Sequence, residues 1–307
     1  MTNKDAPRIA LGPDSAPQWL ADAIVQGGGQ LVGLAESEAI VWGNNDDVDG
    51  LVAALDQAPG AQWVQLPFAG IENFVDRLDP EQTWTCAKGA HADACAELAL
   101  ALALAGMRDV VRYARADEWG PATGVNLFGG RVSIIGGGGI AESLVRMLQP
   151  FRCHITVVRR RAEAMEGVDD VLEADRFADA LPGADLVVLA LSLTPETERM
   201  FGADEFALME PHAWIVNVAR GKHIVTDDLV AALSEGAIGG AALDVTEPEP
   251  LSAGHPLWSL PNCVITPHVA CTAEMAVQPL ADRVMENVGR FARGDELLGL
   301  VDVHAGY

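Results

Sequence analysis

Two constellations of residues in this chain have the types and spacing to do chemistry. The first is a glycine run between two apolar runs. Residues 131–161 read RVSIIGGGGIAESLVRMLQPFRCHITVVRRR. Residues 132–135 suit a buried parallel strand, and Gly136, Gly138 and Ala141 then fill a G-x-G-x-x-G/A pattern. Gly136 permits a tight turn, Gly138 lets the backbone approach a pyrophosphate, and Ala141 is small enough for a helix to pack on the strand. A second register through Gly137 and Gly139 fails, because Glu142 would take the third small position. Residues 142–149 continue as a helix whose N-terminus offers free N–H groups to phosphates. Residues 155–158 form the next strand. This is a βαβ unit built to grip a dinucleotide.

The residue ending that second strand selects between dinucleotides. An acidic side chain about 20 residues beyond the glycines holds the ribose 2′-hydroxyl of NAD. Here Arg159 stands there, followed by Arg160 and Arg161. A carboxylate would repel a 2′-phosphate, whereas a guanidinium can bind one bidentately. The expected cofactor is therefore NADP, with NAD as the lesser partner.

The second constellation is three ionisable residues, each just after an expected strand: Arg220 in NVARG, Glu249 in LDVTEPEP and His268 in CVITPH. Open α/β sheets place their ligand crevice outside the carboxyl ends of strands, and loops there suit reactive groups. The remaining histidines are weaker candidates. His255 reads as a turn residue, and His223 reads as solvated. Glu97, inside an apolar helix, is a candidate buried acid. Cys86, Cys95, Cys153, Cys263 and Cys271 include no C-x-x-C pair, which suggests reduced thiols in a cytoplasm. His268 and Cys271 lack further ligands, so no metal is expected.

These groups need a scaffold, and the chain reads as α/β throughout. Strands are expected at 8–11, 31–35, 39–42, 63–66 and 83–87, with helices at 18–26, 48–57 and 71–78 among them. A long helix is expected over 91–114. Beyond the glycine run, strands at 185–189, 214–218, 240–244 and 263–266 alternate with helices at 204–208 and 226–234, the latter capped by Thr226. A last helix, 272–293, should be interrupted near Pro279. This rhythm implies parallel sheets with helices on their faces.

With 307 residues, half of them hydrophobic, the chain has length for two domains. Its formal net charge of −24 disfavours nucleic acid or an anionic membrane as partner. The strongest apolar run, 98–107, is far shorter than the ~20 residues that span a bilayer. The N-terminus lacks the apolar core of a signal peptide, consistent with a cytoplasmic protein.

These residues carry a resemblance. The chain resembles the D-isomer-specific 2-hydroxyacid dehydrogenase family in AGI at 69–71, GGGGIA at 136–141, LSLTPET at 191–197, NVARG at 217–221, ALDVTEPEPL at 242–251 and TPH at 266–268. The likeness covers almost the whole chain. From Arg220 it is 24 residues to Asp244, 29 to Glu249 and 48 to His268, as the family spaces its nicotinamide-contacting Asp and its Arg–Glu–His trio.

The resemblance implies two doubly wound parallel-sheet domains with a cleft between them. One is a flavodoxin-like substrate domain (1–89 plus 282–307), the other a Rossmann cofactor domain (90–281). It implies that Arg220 binds the substrate carboxylate and polarises the keto oxygen, that His268 protonates that oxygen, and that Glu249 holds the far nitrogen of His268 and favours the imidazolium. Backbone N–H groups at Ala69, Gly70 and Ile71 should also hold the carboxylate. Cofactor contacts should come from Gly136, Gly138, Gly139, Ile140, the three arginines, Leu191, Ser192, Thr197, Val218, Ala219 and Asp244. Ser192 departs from the family's usual proline and Arg159 from its usual acid. The implied activity is NADP(H)-dependent reduction of a small 2-keto acid, glyoxylate or hydroxypyruvate in type, by a homodimer built around the long helix. Alternatives are a phosphoglycerate dehydrogenase-like enzyme, although the chain ends too soon for that group's regulatory domain, or an NADP(H)-sensing corepressor-type protein. A formate-type enzyme is disfavoured, because such relatives carry Gln where this chain has Glu249.

Overall fold

Alternating apolar strands and amphipathic helices build two separate parallel sheets. The structure, a computed structural model, describes residues 6–306, so residues 1–5 and 307 of the expected first domain lie outside the described residues. Its residues divide into two compact units. One contains the chain up to His91 together with everything from Thr272 on, and the other runs from Ala92 to Cys271.

The first unit holds β1 (Arg8–Gly12), α1 (Gln18–Gln26), β2 (Gln30–Leu31), β3 (Ala39–Trp42), α2 (Val48–Gln57), β4 (Trp63–Gln65) and β5 (Thr83–Thr85). The strands are all parallel, in the order β2-β1-β3-β4-β5. This is the flavodoxin-like arrangement, with its reversal between β1 and β3. β3 and β4 are buried along their whole length and read AIVW and WVQ, without polar alternation, because both faces of the sheet are covered. Leu51 and Ala54 of α2 cover one face. Leu20, Ala23 and Ile24 of α1 cover the other, with Leu280, Val284 and Val288 of the helix Ala273–Arg293. Fully buried Asn287 of that helix fastens it by donating to Gln65 Oε1 and Leu298 O (2.9 Å each) and accepting from Leu298 N (2.8 Å).

The second unit holds α3 (Ala92–Met107), α4 (Val110–Ala114), β6 (Arg131–Ile135), α5 (Gly139–Leu148), β7 (His154–Arg159), β8 (Asp170–Glu173), β9 (Leu186–Leu189), α6 (Ala203–Leu208), β10 (Trp214–Asn217), α7 (Thr226–Glu235), β11 (Gly240–Leu243) and β12 (Cys263–Ile265). Its strands are parallel in the order β12-β11-β10-β9-β6-β7-β8. The order reverses between β6 and β9, so the crevice of this doubly wound sheet opens above the carboxyl end of β6, where the glycine run begins. α5 buries Ala141, Leu144, Val145 and Leu148, an i, i+3, i+4, i+7 stripe.

Several expectations need correction. The helix over 91–114 is two helices, because Asp109 takes φ 54° and breaks the ladder between α3 and α4. The final helix is not interrupted: Ala273–Arg293 runs through Pro279. The lost N–H bond frees the carbonyl of Met275, and Met275 lies on the exposed side, where water can serve it. Because that helix packs whole on the first unit, the boundaries fall at 91/92 and 271/272, not at 89/90 and 281/282. Residues 71–78 yield only a 3-10 turn, Val75–Arg77, and the strand expected at 31–35 shortens to the edge pairing of β2. β8 was not anticipated; DVLE is a partly exposed edge strand with little apolar signal. Thr226 does not cap its helix; its Oγ1 donates to Glu247 O at 2.6 Å, and Val225 is the N-cap residue. Among the described residues, no helix is long and apolar enough to cross a membrane.

Candidate active site

The glycine run turns where β6 ends. Gly136 has φ 122°, and a Cβ there would stand 2.0 Å from Ala190 O, so only glycine fits. A Cβ on Gly138 would meet nothing within 4 Å: this backbone faces open space. α5 begins at Gly139, three residues earlier than expected, with no side-chain cap. Its first backbone bond runs from Glu142 N to Gly138 O (3.0 Å), so Gly139, Ile140 and Ala141 precede the ladder and present N–H groups at the positive end of the helix. A bare cradle ending in an uncapped helix N-terminus fits a dinucleotide pyrophosphate.

Arg159 ends β7 half-buried, while Arg160 and Arg161 are exposed. The Arg159 side chain lies against the Gly137 backbone. The guanidinium groups of Arg159 and Arg161 make no ion pair or hydrogen bond within the described residues, although carboxylates outnumber basic side chains by 44 to 20. Two uncompensated cations beside a phosphate cradle fit a 2′-phosphate.

Arg220 follows β10 in a turn built by buried Asn217. Asn217 Oδ1 accepts from Ala219 N (3.0 Å), and its Nδ2 donates to Arg220 O (2.9 Å). Val218 and Ala219 are buried in the core. The Arg220 guanidinium donates to Ala219 O at 2.8 Å. Gly221 comes so close to the loop beyond β11 that a Cβ would stand 2.0 Å from Thr246 O.

Glu249 lies in that loop, and His268 lies beyond β12. His268 Nδ1 stands 2.6 Å from Glu249 Oε1, with both side chains a little under half exposed. His268 Nε2 has no protein partner among the described residues. The pair thus fixes the orientation of the ring while leaving its second nitrogen available for proton transfer. Asp244, just beyond β11, is 2% exposed.

Leu191 and Thr197 are half-buried and Ser192 is exposed. Thr197 Oγ1 donates to Ser192 O at 2.9 Å and accepts from Thr194 N at 2.8 Å, which folds the loop on itself without the usual proline. His223 is not solvated but fully buried. Its Nδ1 is 2.9 Å from Thr197 O and its Nε2 3.3 Å from Leu191 O, so it braces both ends of this loop. In the first unit, Ala69 and Gly70 are at least partly exposed and the Ile71 side chain is buried. The N–H groups of all three donate to no protein acceptor among the described residues.

Sequence reasoning missed Asn217, His223 and Cys95. Burial pushes the Cys95 thiol up to about 11, with the charges of Cys271 and Asp244 adding and that of Arg220 opposing, so α3 brings a thiol close to the catalytic candidates. A single polar residue ending the otherwise apolar strand WIVN was the available signal for Asn217. Glu97 is exposed, not a buried acid. His255 does support a turn, its Nδ1 accepting from Leu257 N at 3.3 Å.

The profile described as D-isomer specific 2-hydroxyacid dehydrogenase, NAD binding domain, matches residues 98–270, more than half of the chain. The chain belongs to this family. An uncharacterized protein of Corynebacterium melassecola is 36% identical over 296 residues, covering 93% of this chain and 95% of that one. Glyoxylate/hydroxypyruvate reductase A of Serratia proteamaculans is 34% identical over 190 residues, covering 62% of this chain and 60% of the reductase. Among solved structures, the NADPH-dependent glyoxylate/hydroxypyruvate reductase of Sinorhizobium meliloti, in complex with NADP and sulfate, matches with a TM-score of 0.81 at 25% identity, over 98% of this chain and 100% of that one. As a member of the family the chain is an oxidoreductase with an NAD-binding domain of the Rossmann type.

Proposed function

We propose that this protein is an NADPH-dependent reductase of small 2-keto acids, of the glyoxylate or hydroxypyruvate type. The observation that carries the reading is the 2.6 Å contact between His268 Nδ1 and Glu249 Oε1, which leaves Nε2 without a protein partner among the described residues. A general acid needs this arrangement: one nitrogen held by a carboxylate that favours the imidazolium, the other presented to the oxygen that takes the proton. The relatives named as glyoxylate/hydroxypyruvate reductases support the substrate class.

Arg220 binds the substrate carboxylate and polarises the keto oxygen, and His268 delivers a proton from Nε2 to that oxygen. Glu249 stabilises the imidazolium until the proton leaves. Gly136, Gly138, Gly139 and Ile140 line the pyrophosphate cradle, and Arg159, with Arg160 or Arg161, takes the 2′-phosphate. The bound nicotinamide supplies the hydride. His223 holds the loop carrying Leu191, Ser192 and Thr197 in place for the cofactor.

We assign the protein to the cytoplasm, where five free cysteines would stay reduced. We also read it as a homodimer. Leu98, Leu100 and Leu104 of α3 are only partly buried, and exposed Val110, Tyr113, Trp119, Val125 and Phe128 follow it along the chain. An apolar surface of this kind marks an interface.

The test is NADPH consumption with a panel of 2-keto acids. Turnover of glyoxylate or hydroxypyruvate, with NADPH preferred over NADH, is the expected result. Tight NADPH binding with no turnover of any keto acid would overturn the reading in favour of a sensor.

A further inference from the structure

We propose that the first unit carries a second ligand site: a cavity between β1 and α2 that takes a small organic cation with an apolar body. This site stands apart from the reductase reading. Its lining falls within residues 10–57 and includes none of residues 69–71, where the family resemblance places the substrate carboxylate.

The cavity has a volume of about 480 Å³, and small-molecule sites run from ~300 to ~1,000 Å³. Three stretches line it: the carboxyl end of β1 with Pro13 and Asp14, residues 32–34 beyond β2, and α2 with its N-cap residue Asp47. Trp42, the last residue of β3, completes the wall. The order of the first sheet reverses between β1 and β3, and doubly wound sheets hold ligands outside the strand ends at such a reversal.

Small residues keep the space open. A Cβ on Gly33 would meet nothing within 4 Å. Ala10, Ala53 and Ala54 add only methyl groups to the lining. Gly12 has no Cβ where the Trp42 ring passes, so the indole lies directly against the β1 backbone.

The polar groups of the lining select the ligand. Asp14 and Asp47 are its only ionisable side chains, and no Lys, Arg or His joins them. Asp47 Oδ1 accepts from Gly50 N at 2.9 Å, while its Oδ2 and the Asp14 carboxylate make no hydrogen bond or ion pair among the described residues. Two carboxylates without a cation attract a positive ligand and repel an anion. The keto acids and the dinucleotide proposed for this protein are anions, so the cavity is not a second copy of their site. Trp42 is 3% exposed, and its Nε1 reaches no protein acceptor among the described residues. Buried N–H groups are ordinarily bonded, so the wall holds a donor for an oxygen on the ligand. Leu11, Val32 and Leu34 give the apolar part of the lining.

The test uses three phenols that differ in charge: tyramine, 4-ethylphenol and 4-hydroxyphenylacetate, a cation, a neutral molecule and an anion at neutral pH. Calorimetry gives the affinity. NMR of the ¹⁵N-labelled indole groups gives the location, with the Trp42 signal identified by its loss in Trp42→Phe. Tyramine should bind saturably and shift the Trp42 signal. 4-Ethylphenol should bind about tenfold more weakly, the effect of one charge-assisted hydrogen bond lost, and 4-hydroxyphenylacetate should not bind. Asp47→Asn keeps a good helix cap and should weaken tyramine by about the same factor, as should Asp14→Asn. Ala53→Leu suits a helix and should narrow the cavity and abolish binding, with circular dichroism unchanged. Absence of tyramine binding overturns the proposal, as does binding that leaves the Trp42 signal unmoved. Equal affinity for all three phenols, or tyramine affinity unchanged in both Asp47→Asn and Ala53→Leu, overturns it too, the latter by showing attraction to the acidic surface at large. None of these measurements needs NADPH or a keto acid, so their outcome and that of the turnover assay are separate.

Discussion

The Arg159 side chain lies across the bare backbone of Gly137: a Cβ built on that glycine would stand 2.5 Å from Arg159 Cβ and 3.0 Å from its Nε. Gly137 is the variable position of the fingerprint, so the pattern itself does not call for glycine there. In this chain its smallness decides where the arginine runs. Gly137→Ala must push the stem of Arg159, not a flexible tip, out of its path. NADPH affinity should fall about tenfold, the size of one charge-assisted hydrogen bond lost, with NADH binding less affected. Arg159→Asp should go further and reverse the preference. Equal wild-type kcat/KM with NADPH and NADH would remove the basis for both, and steady-state kinetics with each cofactor checks it.

The apolar side chains beyond α3 bear on assembly. Trp119 is fully exposed, and Phe128 and Val110 are each more than half exposed. Light scattering of the wild-type protein should give twice the chain mass of 32.4 kDa. Trp119→Asp should shift the protein towards monomer without changing its circular dichroism. A fully active wild-type monomer in dilute solution would remove the argument.

Burial pushes the thiol of Cys95 up to about 11 and that of Cys263 to about 12. The thiolate is the nucleophile, so neither should react with iodoacetamide in the native protein at pH 8; mass mapping of the alkylated sites checks this. The same shifts have a sign for stability. Above pH 9 the unfolded chain gives up these protons while the folded chain keeps them. The folded state then binds more protons, and stability falls as pH rises. Thermal melts of Cys263→Ala should lose part of that alkaline decline. Its retention in full, after allowing for the cavity, would count against the assigned cause.

What was legible in the sequence was whatever depends on local pattern. The helices Gln18–Gln26 and Val48–Gln57 and the strand Ala39–Trp42 could be read to the residue, because each is bounded by residues that break its period. The glycine cradle and the strand-end positions of Arg220, Glu249 and His268 were legible for the same reason. Tertiary context decided the rest. Asp109 gave no local warning of its left-handed backbone, which answers to contacts: Thr123 Oγ1 bonds its carboxylate, and Tyr113 bonds Thr123 N at 2.6 Å. The burial of His223 depends on carbonyls 26 and 32 residues away in sequence, at Thr197 and Leu191. Asp244 could be placed near the chemistry by its interval, but the donors that surround it belong to a loop over 20 residues on.

The His268–Glu249 pair and Arg220 can be told apart by kinetics. If His268 is the acid in ketone reduction, His268→Ala should leave NADPH binding nearly intact while kcat collapses, by roughly 10²- to 10⁴-fold for a positioned general acid. Glu249 acts through the histidine, with its Oε1 2.6 Å from Nδ1. Glu249→Gln can keep a hydrogen bond but loses the negative charge that favours the imidazolium, so its loss in kcat should be milder. Its effect should fall on kcat, with the KM for the keto acid and the Kd for NADPH nearly unchanged; a variant with wild-type kcat would show that Glu249 does something else. Arg220→Ala should differ from both, because it removes carboxylate binding and carbonyl polarisation together. KM for the keto acid should rise while kcat falls, and NADPH affinity should hold. Near wild-type kcat in His268→Ala on the best substrate found would end the proposed mechanism while leaving the fold and the cofactor cradle untouched.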